Sequence, residues 1–174
     1  MKAHYRVLFL AILLLVGCAQ KEHSPASVVQ GEAPFDFRGT RWGMSQEEVK
    51  RSEAGKSGRE YDEGIIYDEE LFGENVGLGY AFKENKLIGG FYFLDETVGQ
   101  ARVENFFAKC MSHFHAKYGP PSDERTSKDG ARSVRWKNEN TYITLTIEKD
   151  QSKDFPIMIS YGDRKLIEKQ FGVK

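Results

Sequence analysis

The sequence predicts an α+β domain in which a mostly antiparallel sheet has its helices packed on one face. A capping signal at Ser45 predicts a short helix, and an apolar stripe between Val98 and Tyr118 predicts a longer one. Alternating apolar and polar residues between and after these helices predict strands joined by tight turns. Because no helix separates the strands within each run, neighbouring strands should pair antiparallel.

The first helix is predicted by the residues around Ser45. Ser45 suits the N-cap position, and Glu48, three residues later, completes a capping box. Met44 before the cap and Val49 after it form a hydrophobic staple. The helix should therefore begin at Ser45 and end near Gly55, where glycine favours a C-terminal cap.

Strands are predicted in the next segment. Residues 56–60 are expected to be a polar loop, and 61–67 a strand that ends at the acidic residues 68–70. Clean alternation from Val76 to Phe82, followed by an Ile-, Phe- and Tyr-rich run from Leu87 to Leu94, predicts a β-hairpin with its turn at 83–86.

The second helix has the strongest periodicity in the chain. Val103, Phe107, Cys110 and Phe114 form one continuous apolar stripe at helical spacing. Gly119 and the two prolines that follow it end the helix after Tyr118, because glycine supplies a cap and proline cannot continue the helix.

The last third of the chain is again predicted to be strands. Alternation over 133–137, 142–147 and 155–161 predicts three of them, and 165–171 is expected to form a short terminal helix. The predicted order is therefore one helix and three strands, twice over. This order hints at a degenerate αβββ duplication.

The first residues are predicted to form a leader. Lys2 and Arg6 precede an unbroken apolar run from Val7 to Val16, which is too short to span a bilayer but fits the core of a signal peptide. Leu15-Val16-Gly17-Cys18 resembles the lipobox of bacterial lipoproteins, which implies cleavage before Cys18 and acylation of that cysteine. We therefore expect a signal peptide over 1–17, a lipidated flexible tether over 18–34, and a single α+β domain over 35–174.

This resemblance also implies a location. Ala19 follows the cysteine where an aspartate commonly retains such proteins on the inner membrane, so the expected site is the outer membrane, facing the periplasm. Loss of Lys2 and Arg6 with the leader takes the formal net charge from −1 to −3. Without a basic surface, nucleic acid is not an expected partner.

A second resemblance lies at the start of the first helix. Gly43-Met44-Ser45, with Val49 four residues later, is similar to the helix start of small envelope lipoproteins of the BamE/SmpA type. Those proteins have helices packed on an antiparallel sheet, and the outer-membrane member helps to assemble β-barrel proteins. The resemblance implies the style of fold for this chain, and no partner is carried over.

Two clusters are candidates for chemical sites. An acidic group is expected to be a solvated loop rather than a calcium site, because it lacks the spacing and the mid-loop glycine of a calcium loop: Glu60, Asp62, Glu63, Asp68, Glu69, Glu70 and Glu74.

Cys110 and His113 share a helix face, but His115 points elsewhere and a buried structural cysteine is the favoured interpretation. No catalytic motif, metal site or cofactor site is expected, and the protein is predicted not to be an enzyme.

Aromatic residues are the remaining positive signal. The chain has 12 Phe, 8 Tyr and 2 Trp, more than one small core obviously needs. Residues on the second face of a strand would suit contact with a protein, peptide or glycan if exposed, and four are nominated: Tyr67, Phe72, Tyr92 and Tyr142.

Three functions follow from these observations. The first is a non-catalytic interaction or assembly-accessory module anchored in the envelope, with an envelope protein as its partner. The second is a lipoprotein that binds a small ligand or glycan, which should leave an apolar pocket between the second helix and the sheet. The third is an enzyme in which Cys110, His113 and an acidic side chain converge.

Overall fold

In a computed structural model of the chain, the described residues are 36–94, 99–149 and 155–172. They belong to one compact unit that spans 34–174. The predicted signal peptide, the predicted lipidation site Cys18, the predicted tether over 18–34 and the expected first domain residue, Phe35, lie outside the described residues.

The described elements are three helices and eight strands. Their order is α1 (Gln46–Ser52), β1 (Gly58–Tyr61), β2 (Gly64–Leu71), β3 (Glu74–Lys83), β4 (Lys86–Leu94), α2 (Gln100–Tyr118), β5 (Asp123–Thr126), β6 (Arg132–Lys137), β7 (Thr141–Ile147), β8 (Ile157–Asp163) and α3 (Arg164–Phe171). The fold is α+β and mostly sheet. None of the helices among the described residues is both long and apolar enough to cross a membrane.

All eight strands form one antiparallel sheet, in the order β1-β2-β3-β4-β8-β7-β6-β5. Strands β1–β4 and β5–β8 each run as a meander, and the two meanders join where β4 pairs with β8. A helix precedes each meander. The strand count of the predicted repeat was therefore wrong, because each half has four strands rather than three.

The two helices predicted with specific end signals form as expected. The Ser45 side chain accepts a hydrogen bond from the Glu48 amide, and the Glu48 side chain reciprocates at the Ser45 amide, which confirms the capping box. The apolar stripe of α2 is buried, and Gly119 follows Tyr118 with a φ of +77°. The expected start of α2 at Val98 lies outside the described residues.

One face of the sheet, here called the core face, holds the hydrophobic core. Val49 of α1 and the α2 stripe pack against residues from all strands except the short β1 and β5. Side chains of β3 illustrate the alternation, since Val76, Leu78 and Tyr80 are buried there. The core face therefore lies under α1 and α2, as the sequence predicts.

The expectation that the helices lie on one face is wrong for α3. Tyr161 of β8 points to the core face, so its neighbour Gly162 faces the opposite, outer face. A Cβ at Gly162 would come within 2.7 Å of the Ile167 side chain of α3. The terminal helix thus covers one end of the outer face, because it leaves β8 directly and its apolar side chains have only that surface in reach.

The rest of the outer face carries aromatic rings stacked over glycines. Phe93 of β4 pairs across the ladder with Gly77 of β3, and Phe91 pairs with Gly79. A Cβ at either glycine would lie 2.1 Å from the ring tip of its partner. The absent side chains therefore make room for rings that would otherwise stand in solvent.

Candidate functional site

A cleft of about 460 Å³ lies on the core face between the C-terminal half of α2 and the sheet, and is here called the α2 cleft. Four parts of the chain besides α2 build its walls: the segment before α1, the β2–β3 turn, the β6–β7 turn and the central strands. It is lined by Asp36, Phe37, Arg38, Leu71, Phe72, Tyr92, His113, Phe114, Lys117, Tyr118, Asn138, Ile143 and Tyr161. The cleft lies where a ligand-binding domain was expected to have one, although its lining is mixed rather than apolar.

The segment before α1 forms one wall through a tight local fold. The Thr40 hydroxyl donates to the Phe37 carbonyl over 2.6 Å, and Arg38 between them has a φ of +53°. The Asp36 carboxylate accepts a hydrogen bond from the Trp42 amide over 2.9 Å. These contacts fix the directions in which Asp36 and Arg38 meet the cleft.

Arg38 belongs to a polar group at the floor of the cleft, here called the Glu53 network: Arg38, Glu53, Lys56, Glu69, Tyr80 and Tyr92. The Arg38 guanidinium donates to Glu53 over 2.7 Å and to the Tyr92 hydroxyl over 3.0 Å, and it pairs with Glu69 over 3.0 Å. Lys56 pairs with both carboxylates. Two cations therefore meet two carboxylates, and the group is internally neutral.

Glu53 is the most buried charge of that network, with only 6% of its surface exposed. Burial opposes its negative charge, but hydrogen bonds from Tyr80, Lys56 and Arg38 outweigh the burial and lower its pKa. Burial, with the hydrogen bond to Glu53, raises the pKa of Tyr80. Glu53 thus stays ionised and Tyr80 stays protonated at neutral pH, as the hydrogen bond between them requires.

Aromatic rings make up much of the remaining wall. The Phe37 ring centroid lies 4.7 Å from that of Tyr161 and 5.6 Å from that of Tyr92. Phe114 lies 6.0 Å from Tyr118 on the helix side. Burial raises the pKa of Tyr161, and its hydroxyl makes no hydrogen bond to another described residue. A protonated hydroxyl is therefore available to a molecule in the cleft.

The β2–β3 turn forms the rim beside α2. Phe72 has a φ of +54° and Gly73 one of +80°, the backbone signature of a tight two-residue hairpin turn. A bulky residue with positive φ is strained, and contacts with α2 hold it. Lys109 donates to the Phe72 carbonyl over 3.0 Å, and the Phe72 ring lies 5.0 Å from that of His113.

The four aromatic residues nominated for partner contact are not exposed as expected. Tyr67, Tyr92 and Tyr142 have only 3%, 7% and 6% of their surface exposed, and Phe72 is half-buried. Tyr67 and Tyr92 point to the core face because each lies two residues from another core-face residue of its own strand. Tyr142 does face outward, but α3 covers it, and its hydroxyl donates to Glu168 over 3.1 Å. Tyr92 and Phe72 instead line the α2 cleft.

Cys110 does not meet what a nucleophile requires. The residue is fully buried and does not line the cleft, whereas His113 lies on the rim. Burial raises the pKa of the Cys110 thiol to about 12, so the thiolate is not available near neutral pH. The favoured interpretation of Cys110 as a small buried core residue is confirmed.

The acidic group is mostly exposed to solvent, as expected, but only Asp62 and Glu63 lie in a turn rather than in a strand. Glu60, Asp68, Glu69 and Glu74 lie in strands, and each pairs with a basic residue: Lys50, Arg59, Arg38 and Arg102 respectively. Within the described parts of the chain, no three His, Cys, Asp or Glu residues are placed to hold a metal ion. By pairing with Arg38, Glu69 joins the Glu53 network, whereas an exposed pair such as Arg59 with Asp68 adds little stability.

Sequence reasoning missed most of the cleft. Asp36 and Arg38 come from a segment that carries no motif, and Tyr161 looks like an ordinary strand residue. Only the tertiary structure places the segment before α1, β8 and the end of α2 around the same cleft. Polar residues at the closing end of an apolar helix stripe, such as Lys117, were the one available signal.

Comparisons with known proteins add little to this geometry. The chain matches no protein-family model and no curated protein. Among solved structures it is similar to a DUF4309 family protein (YjgB) from Bacillus subtilis, with a TM-score of 0.44 and 15% sequence identity, covering 78% of this chain and 89% of that chain. A likeness at that level carries no functional argument.

Proposed function

We propose that the protein is a lipid-anchored cell-envelope lipoprotein whose domain binds a small ligand without catalysing a reaction. The α2 cleft is the observation that carries the proposal. Its volume of about 460 Å³ falls in the range of ligand sites, roughly 300–1,000 Å³. Apolar rings with a few polar groups among them are the usual lining of such sites.

Two rigid elements define the cleft. Phe114 and Tyr118 belong to a 19-residue helix that is anchored by its buried stripe, and Ile143 and Tyr161 belong to neighbouring central strands. The Glu53 network holds the segment before α1 in place from below. A site built on rigid elements loses little entropy on binding, which favours recognition of a ligand over induced folding.

The lipid anchor is supported by the sequence alone. Leu15-Val16-Gly17-Cys18 carries the resemblance to a lipobox, and Ala19 favours the outer membrane. A single acyl chain holds a protein only marginally, and each further buried methylene adds about 0.8 kcal/mol. Acylation of both the Cys18 thiol and the new amino group would therefore make attachment practically permanent.

Mass spectrometry and fractionation test the anchor. We expect the natural product to begin at an acylated Cys18 and to sediment with outer membranes, and the Cys18→Ser variant to retain an uncleaved, unacylated leader. Cys110→Ser serves as the matched control and should leave acylation unchanged. An intact leader or a free thiol at position 18 in the natural product would refute the anchor and leave the cleft in place.

Methyl NMR tests the cleft. The mature lipoprotein in detergent micelles, labelled at isoleucine methyl groups, reports on the cleft through Ile143 and on the outer face of β2 through Ile66. A fragment set of sugars, short peptides and aromatic acids should include compounds that shift Ile143 and leave Ile66 unchanged.

A pair of histidine variants provides the control for that experiment. His113→Trp places a larger ring on the cleft rim and should weaken each fragment that binds, whereas His115→Trp on the same helix, away from the cleft, should not. Shifts that survive in His113→Trp, or fragments that move only Ile66, would count against the cleft as the binding site.

The interaction or assembly-accessory module is the second candidate. Its support is the outer face, where Phe155 is 45% exposed beside the half-buried Phe93. Crosslinking in intact membranes should trap one defined envelope protein. A lipoprotein that always remains uncrosslinked would argue against it.

We also infer that the two halves descend from a degenerate duplication of a helix followed by four strands. The repeated order, α1 with β1–β4 and α2 with β5–β8, supports this inference. A relative whose two halves retain recognisable sequence identity would test it.

A further inference from the structure

Some charged side chains around the α2 cleft have counter-ions among the described residues, and others do not. Arg38 is neutralised by Glu53 and Glu69 in the network beneath the cleft. Lys117 is on the last turn of α2, and its Nζ lies 5.1 Å from the Tyr118 ring centroid. It has no carboxylate partner among the described residues. Lys117 is therefore a cation at the rim of the cleft that has no carboxylate counter-ion among the described residues.

Asp36 presents the opposite charge. One of its carboxylate oxygens accepts the Trp42 amide, and no basic side chain of the described residues pairs with it. Asp36 and Lys117 come from different walls of the same cleft. Asp36 and Lys117, neither of which has an ion-pair partner among the described residues, therefore border the same cleft.

Between these charges the cleft is lined by rings. Phe37 and Tyr161 lie on the sheet side, and Phe72 and Tyr118 lie towards the helix. The Tyr161 hydroxyl adds a hydrogen-bond donor without a described partner. His113 lies one helical turn before Lys117 on the same face, so its imidazole is close to any anion held by Lys117.

We propose that the α2 cleft binds a zwitterionic small molecule with an apolar, aromatic body, with its ammonium group at Asp36 and its anionic group at Lys117. This inference rests on the proposed ligand-binding function and names the ligand class. A free aromatic amino acid and a short aromatic peptide share this chemistry and differ in the separation of their charges. Asp36 and Lys117 come from different segments of the cleft lining and form no ion pair with each other, so the wider charge separation of the peptide is favoured.

Four probes test the charge requirement with the aromatic body held constant. The probes are phenylalanyl-phenylalanine, its N-acetylated form, its C-amidated form and free phenylalanine, each titrated into the mature lipoprotein while the Ile143 methyl shift is followed. We expect the dipeptide to bind about five- to tenfold more tightly than either form that lacks one charge. Free phenylalanine should bind more weakly than the dipeptide, and the reverse order would assign the ligand to amino acids instead.

Two variants assign each charge to its residue. Asp36→Asn keeps an acceptor for the Trp42 amide but removes the charge, so it should weaken the dipeptide and leave the N-acetylated form unaffected. Lys117→Gln should weaken the dipeptide and leave the C-amidated form unaffected. Lys86→Gln, an exposed lysine away from the cleft, is the matched control and should change nothing.

The outcomes separate this inference from the proposed function. If an uncharged or singly charged compound shifts Ile143 with higher affinity than the dipeptide, the zwitterion is refuted and the ligand-binding cleft stands. If both variants bind the dipeptide as the unaltered protein does, the assignment of its charges is refuted. If neither the four probes nor the fragment set shifts Ile143, both the inference and the proposed function fail.

Discussion

The two faces of the sheet carry aromatic rings over glycines in different surroundings. On the core face, Phe37 lies over Gly90 and contacts the rings of Tyr80, Tyr92 and Tyr161. On the outer face, Phe93 lies over Gly77 and contacts Phe91 and the exposed Phe155. In both places a Cβ on the glycine would come within 2.1 Å of a ring carbon.

The difference lies in what happens if the ring must move. Phe37 is 3% exposed and enclosed by other side chains, whereas Phe93 is half-buried and borders solvent. A displaced Phe37 would have to disturb the rings that shape the α2 cleft, but a displaced Phe93 can turn outward. The same packing of a ring over a glycine therefore holds the wall of the α2 cleft on the core face. On the outer face it only covers backbone.

The largest loss of stability is expected in the Glu53 network on the core face. Glu53→Gln removes the carboxylate that Arg38, Lys56 and Tyr80 share, which leaves the buried Tyr80 hydroxyl and two partly exposed cations poorly matched. The loss of one partner from a buried ion pair costs about 3–5 kcal/mol, and we expect the lower end because Arg38 and Lys56 still pair with Glu69. Urea unfolding of the variant should show this loss, and a change below about 1 kcal/mol would mean that the network contributes little.

The same network predicts how stability depends on pH. The folded-state pKa of Glu53 lies below the ordinary value of 4.5, and hydrogen bonding to Lys56 lowers that of Glu69 in the same direction. A lowered folded-state pKa gives stability that is present above about pH 4.5 and is lost as the pH falls below it. The free energy of unfolding should decrease from pH 5 towards pH 3, with a shallower slope in Glu53→Gln, and equal slopes would contradict the assignment.

The glycine comparison can be tested directly with paired variants. Gly90→Ala should destabilise the protein by about 3 kcal/mol, the upper part of the range for overpacking, because Phe37 cannot turn away. Gly77→Ala should cost only about 1 kcal/mol. Thermal unfolding of both variants measures the difference, and adding Phe93→Ala to Gly77→Ala should cancel the clash. Equal costs at the two glycines would show that the outer rings are held as firmly as the inner ones.

The smallest effect is expected at the edge of the outer face. Phe155→Ala removes an edge-to-face contact with Phe93, at a centroid distance of 4.6 Å, and such pairs are worth about 0.5–1.5 kcal/mol. Because Phe155 is 45% exposed, we expect the lower end of that range in chemical unfolding. A loss above about 2 kcal/mol would place Phe155 in a packed cluster rather than at a surface.

Short-range patterns account for what could be predicted from the chain. The capping box at Ser45 involves residues three apart, and the α2 stripe involves residues three or four apart, so local rules apply to both. The hairpin of β3 and β4 follows from alternation around a short polar turn. Strands β1 and β5 were missed because, as four-residue edge strands, they are polar and mostly exposed.

By itself the sequence determined the helix ends, the strand alternation and the lipobox resemblance, because each depends on residues that are neighbours along the chain. Only the tertiary structure decided that Tyr67 and Tyr92 point inward, that α3 crosses to the outer face, and that Asp36 and Lys117 border one cleft. Alternation distinguishes the two faces of a strand but does not say which one a helix will cover. Which face is covered depends on contacts between segments that are distant in the chain. The position of the α2 cleft depends in turn on which face is covered.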